Sequence, residues 1–231
     1  MEQTEKKVLG NESKPFENNQ VSLVGEIASD LVYSHEVFGE HFYLTELSVS
    51  RLSGFADVLP VMVSEYLIDV TKDYRGMCIR VEGQFRSFNL RQENRNKLVL
   101  SVFARELEFT EGTDKIEDGN RIFLDGYVCK EPVYRKTPLG REVADILIAV
   151  NRSYGKSDYI PCICWGRNAR HASAFEIGTH VQLQGRIQSR GYVKKISETE
   201  TEQRIAYEVS VSSVNLLLEK EDKVDGQHGC N

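Results

Sequence analysis

The sequence predicts an all-β protein with short helices, arranged as two tandem five-stranded β-barrels. Three observations predict it: the length, a repeat that halves the chain, and short runs of apolar/polar alternation broken by glycine and polar turns. At 231 residues the chain is long for one small barrel and natural for two domains of about 100 residues each. Hydrophobic residues at 40%, charged residues at 28% and only five prolines fit globular domains rather than a disordered chain.

Sliding the sequence against itself by 101 residues aligns Asn19-Gln20-Val21-Ser22-Leu23-Val24-Gly25 with Asn120-Arg121-Ile122-Phe123-Leu124-Asp125-Gly126. The same offset pairs Tyr33 with Tyr134, Gly39 with Gly140, Arg51 with Arg152, Asp57 with Asp158 and Pro60 with Pro161. A single register held over so long a stretch means a duplicated domain, since solenoid periods are roughly 20 to 50 residues. The register then slips to 102, where VEGQFRS (81–87) answers LQGRIQS (183–189).

In the second copy the elements read in order as IFLDGYVC, EVADILIAVNR, DYIPCICW, THVQLQGRIQSRGYV and IAYEVSVSSVNLL, five runs with the β-branched content and period-2 alternation of strands. Between the third and fourth, NARHASAFEIG suits a short helix closed by Gly178. Five strands with a helix between the third and fourth is the OB order, and each copy is expected to carry it. Isolated glycines within strand patterns (Gly25, Gly83, Gly126, Gly185) fit bulges or bends where a small barrel turns its corners, although a glycine can also mark simple weakness in a strand. The resulting division is a disordered segment over 1–18, a first OB-fold domain over 19–110 and an acidic linker over 111–119. A second OB-fold domain follows over 120–218, and a flexible tail over 219–231.

Charge and residue usage narrow the function. The net charge of −6 is unevenly spread: −8 before Asn120, +7 from Asn120 to Ile196 and −5 beyond. The second domain therefore carries the electrostatic footprint of a nucleic-acid partner. No apolar run approaches the roughly 20 residues that span a bilayer, and the N-terminus has no apolar signal segment, which predicts a cytoplasmic, nucleoid-associated protein without membrane contact. Five scattered cysteines do not form a secreted disulfide framework, and the Cys162-x-Cys164 pair lacks a second pair or a neighbouring His at zinc spacing. Those thiols are expected in the core. The five histidines fall in no triad spacing and no phosphate-cradling loop occurs, so neither enzymatic activity nor a cofactor or metal is expected.

A groove for single strands needs cations for phosphates and exposed rings for bases, each stack contributing about 1–3 kcal/mol. RSYGKSDY (152–159) interleaves Arg152 and Lys156 with Tyr154 and Tyr159. Along DYIPCICW, alternation sends Ile160, Cys162 and Cys164 to one face and Tyr159, Ile163 and Trp165 to the other, and the cysteine face is assigned to the core. SRGYVKK adds Arg190, Tyr192, Lys194 and Lys195. Lysines alone would read as solvated charges; it is their pairing with aromatics in three separate regions that points to nucleic acid.

The second copy, above all NRIFLDGYVCKEPVYRKTPLGREVADILIAVNRSYGKSDYIPCICWGRNA, resembles the bacterial single-stranded DNA-binding protein family from Asn120 to about Leu217, and the first copy resembles it more weakly. The resemblance implies a tandem OB-fold form that binds single-stranded DNA without strong sequence preference and without catalysis, in replication, recombination or repair. It also implies assemblies of four barrels, hence a homodimer here. By matched motif, the stacking aromatics fall on Tyr154, Tyr159, Trp165 and Tyr192, with Arg152, Lys156, Arg167, Arg190 and Lys194 expected on phosphates. Their counterparts in the first copy are Ser53, Val58, Ser64 and Leu90, none aromatic, so the first barrel is expected to bind weakly despite Phe55 and Phe88 nearby. The tail EKEDKVDGQHGCN is acidic but lacks the hydrophobic tip by which the family recruits replication and repair proteins. The alternative is a tandem-OB interaction module of a primosome or similar nucleoprotein complex.

Overall fold

The computed structural model describes residues 17–92, 95–112, 119–197 and 200–217. The N-terminal segment up to residue 16, most of the acidic linker and the tail from residue 218 lie outside the described residues. The first half forms β1 (Asn19–Ile27), β2 (Val32–Val37), β3 (Glu40–Ser50), β4 (Ala56–Ser64), β5 (Cys78–Gln92) and β6 (Arg95–Phe109). The second forms β7 (Asn120–Val128), β8 (Val133–Lys136), β9 (Glu142–Asn151), β10 (Ser157–Trp165), a short helix α1 (Arg167–Ala172), β11 (His180–Lys195) and β12 (Thr201–Leu216).

Each half closes on itself as an OB barrel. β1 pairs with β5 along most of its length and crosses to β3 at Glu26↔Ser48, while the parallel pair β4–β6 (Val61↔Val102) completes a ring of five strands. The second half repeats this with β7, β9, β10, β12 and β11, closed by the parallel pair Cys162↔Val209. Alternation puts Leu23, Leu47, Leu59 and Phe85 inside the first barrel and Leu124, Ile148, Ile160, Leu183 and Ile187 inside the second, all fully buried. At Gly83 and Gly185 the register of the long hairpins shifts, and a Cβ there would collide with the carbonyl of Phe103 or Ser210 on the facing strand. These two glycines are bulges at which the barrel wall bends.

Three elements differ from the sequence expectation. β2 and β8 are additional strands, exposed along their whole length, which pair with β3 and β9 as hairpin arms outside the ring. With neither face buried, they carry no apolar alternation to read. The expected helix is present in the second copy as α1 but has no counterpart among the described residues of the first. There Asp69 accepts from the backbone N–H and hydroxyl of Thr71, and Asp73 from the N–H of Arg75, so side chains take the amides that a helix would use. No helix among the described residues is long and apolar enough to cross a membrane.

The barrels are joined edge to edge by the antiparallel pair β1–β7, from Asn19↔Leu124 to Leu23↔Asn120, giving one continuous sheet across both halves. Two reciprocal brackets reinforce the seam. Arg51 donates to the fully buried Asp57, whose carboxylate also accepts from the Ser189 N–H at 2.7 Å and from Arg186 at 3.1 Å. In mirror fashion Arg152 donates to buried Asp158 and, at 2.8 Å, to the carbonyl of Ser87, while the Ser87 N–H donates to Asp158 and the Ser87 hydroxyl accepts from the Tyr159 N–H. Burial works to raise the Asp57 pKa, but Arg51, the Ser189 N–H and Arg186 outweigh it and hold the carboxyl below its ordinary value.

Candidate nucleic-acid interface

Strand β10 is the backbone of the site. Its alternation buries Ile160, Cys162 and Cys164 in the core and leaves Tyr159 and Trp165 on the outer wall, 44% and 40% exposed. Ile163, expected beside them, is buried instead. Burial pushes the Cys164 thiol up to about 12 and raises Cys162 as well, so both stay protonated and apolar at neutral pH.

The turn before β10, Ser153–Gly155, carries Tyr154, whose side chain lies outside the described residues; it delivers the exposed Lys156 to the start of the strand. The turn after it begins α1 with the exposed Arg167. Tyr192, 39% exposed, stands on the β11–β12 arm facing Arg204 in register. Lys194 on the same arm is half-buried, and Arg190 is exposed with its guanidinium 3.3 Å from Glu208. Tyr192 also lines a groove between the barrels with Pro60, Phe88, Pro161, Ile205 and Tyr207.

Arg152 is placed differently from its expected role. Its guanidinium is held by Asp158 and the Ser87 carbonyl in the seam, and only 28% of the side chain is exposed. The matching Arg51–Asp57 pair in the first copy, which lacks the stacking aromatics, is the sequence signal that this arginine is structural.

Three cations near Trp165 stand outside the set of site residues that the sequence predicts. Lys136 and Arg141, at the two ends of the β8–β9 hairpin, and Arg170 of α1 line an open depression with Trp165. The hairpin is tight: the Thr137 N–H donates to the Arg141 carbonyl, and Gly140 sits at φ +74°. Glu142 orients this cluster by accepting from Arg170 at 2.6 Å and from the Tyr134 hydroxyl at 2.8 Å, which raises the Tyr134 pKa. The signal was available in the basic residues flanking the TPLG turn.

In the first barrel the counterparts differ. Ser53 is exposed, Val58 half-buried, and Ser64 buried with its hydroxyl donating to Glu40, while the Leu90 side chain lies outside the described residues. Phe55 and Phe88 are 73% and 44% exposed.

Residues 119–217, the whole second barrel, match the Single-strand binding protein family. Single-stranded DNA-binding protein A of Bacillus subtilis is 34% identical over 120 residues, covering 48% of this chain and 67% of that protein. Single-stranded DNA-binding protein 2 of Listeria monocytogenes is 32% identical over 119 residues, covering 48% and 72%. The chain belongs to the single-strand binding protein family. Its two-barrel architecture is also that of the wild-type single-stranded DNA binding protein from Thermus aquaticus, with a TM-score of 0.71 over 91% of this chain and 98% of that one, at 19% identity. That likeness shows the fold across both barrels, whereas the family match lies on the second.

Proposed function

We propose that this chain binds single-stranded DNA through the outer wall of its second barrel, without strong sequence preference, and so protects exposed strands in replication, recombination or repair. The observation that carries the proposal is the trio Tyr159, Trp165 and Tyr192, each about two-fifths exposed on a wall bordered by cations. Large aromatics left open to water cost free energy unless something covers them, and bases are flat, apolar partners for which sequence identity is immaterial. Tyr154, Tyr159, Trp165 and Tyr192 stack on bases; Lys156, Arg167, Arg190 and Lys194 meet phosphates, together with Lys136 and Arg141. Arg152 is omitted because Asp158 and Ser87 hold it.

No catalytic step is needed for this activity, and the protein acts as a binding protein rather than an enzyme. Two barrels per chain and the family relationship support a homodimer of four barrels, with replication or repair proteins as partners. Trp165 is the only tryptophan, which makes it a built-in reporter. Titration with oligo-dT of increasing length is expected to quench its fluorescence, with affinity falling as salt rises at a log–log slope of about −0.7 per phosphate neutralised. Unchanged fluorescence, with no anisotropy change on labelled dT, overturns the proposal.

A further inference from the structure

The duplication lets the two barrels serve as controls for one another, and their charges are opposite where the strand would lie. In register, Lys136 faces Glu142 across the β8–β9 hairpin, and at the matching place Glu36 faces His41 across β2–β3. Arg141 is matched by Glu40. The loop after each third barrel strand starts with the same bond, Gly166 N–H to the Glu142 carbonyl and Glu65 N–H to the His41 carbonyl, which fixes the alignment of the residues beyond it. Past it, the buried Ala169 and Ile68 precede Arg170 and Asp69. Lys136, Arg141 and Arg170 line the depression beside Trp165 together with Glu142. In the first barrel the buried Ser64 donates to Glu40 and is followed by Glu65, while Glu36 and Asp69 hold the positions that match Lys136 and Arg170. His41 sits between two of these carboxylates, 3.5 Å from Glu36 and 3.0 Å from Glu65, and Lys72 is 3.0 Å from Asp69.

Loss of the family's aromatics does not by itself keep a strand off this face. Phe55 and Tyr66 are 73% and 76% exposed on the first barrel and offer ring faces to bases. Sequence-tolerant binding needs both a stacking surface and a cationic track, and it is the track that is reversed. We propose, on the reading that the second barrel binds single-stranded DNA, that Glu36, Glu40 and Asp69 determine which barrel is used: their carboxylates repel phosphates from the first barrel and confine the strand to the second. Each chain then engages DNA through one barrel, and a homodimer through two of its four.

The test uses the full chain carrying Glu36→Lys, Glu40→Arg and Asp69→Arg, with Glu36→Gln, Glu40→Gln and Asp69→Asn as a gentler neutral set. Both are titrated with oligo-dT of increasing length over a salt series. Reversal is expected to lengthen the saturating oligonucleotide and steepen the salt slope by about 0.7 for each phosphate gained, with the neutral set in between. In a Tyr159→Ala/Trp165→Ala background, binding should return only when the charges are reversed. Unchanged length and slope in a variant whose circular dichroism matches the parent overturns the inference, and the neutral set decides in the same way if the reversed one fails to fold. Oligo-dT affinity equal to the parent's in Tyr159→Ala/Trp165→Ala with its acids intact overturns it as well. If the parent binds dT and reversal changes nothing, only this inference falls; if the parent does not bind dT, the proposed function falls with it.

Discussion

Replacing Asp57 with alanine tests whether the reciprocal brackets hold the barrels together. The carboxylate is fully buried and accepts from Arg51, Arg186 and the Ser189 N–H. Its removal leaves a seam amide without an acceptor, which costs about 1–3 kcal/mol, and two guanidinium groups without their shared anion. Breaking a fully buried pair costs about 3–5 kcal/mol, but Arg51 and Arg186 are 30% and 36% exposed, so water recovers part of that. The expected loss is about 3 kcal/mol, which for a chain of this size lowers Tm by roughly 6–12 °C in scanning calorimetry. Asp30→Ala, which removes an exposed partner of Arg75, serves as the control and should stay within about 0.5 kcal/mol of the parent. The sign of the pH dependence follows from the depressed Asp57 pKa. Its contribution is complete above the unfolded value, near 3.8, and is lost as pH falls through the lower folded value. The Tm gap between parent and Asp57→Ala should therefore hold steady at neutral pH and narrow in acid below about pH 4. An Asp57→Ala protein melting within about 2 °C of the parent at neutral pH would refute the role assigned to the bracket.

Three further outcomes are expected. Trp165→Ala should weaken oligo-dT binding by roughly 5- to 150-fold, the equivalent of one stacked base, measured by anisotropy of labelled dT. Lys136→Ala and Arg141→Ala should each make the salt slope shallower by about 0.7, read from the same titrations. Gly185→Ala should destabilise the protein by about 1–3 kcal/mol in urea unfolding because its Cβ meets the Ser210 backbone, whereas Gly191→Ala, with open space around it, should be near neutral.

How far the molecule is legible in its sequence depends on whether a feature leaves a local trace. The repeat at offset 101 places the two barrels, and the matched registers Phe42↔Ser64 and Val143↔Trp165 obey it. The cysteine face of DYIPCICW is readable because period-2 geometry separates two chemically distinct sides, and burial of Cys162 and Cys164 agrees with it. The arms β2 and β8 escape a sequence reading because a strand solvated on both faces has no pattern. Similarity between the copies implies a helix in the first as well, but the Asp69 and Asp73 turns outweigh it there. The role of Arg152 is hidden because its partner Ser87 lies 65 residues away in sequence, while its neighbours Tyr154 and Lys156 suggest DNA. Only the repetition of Arg51 with Asp57 in the weaker copy separates those two explanations.

The β1–β7 seam has a consequence for how such a protein can change. In an assembly of identical single-barrel subunits, every substitution appears on all faces at once, so a binding surface can be altered only everywhere or nowhere. Here the seam guarantees that each first barrel meets a second barrel of the same chain, whatever the concentration. Symmetry is broken in the covalent chain itself, and one wall can become acidic while its neighbour stays basic without any loss of assembly.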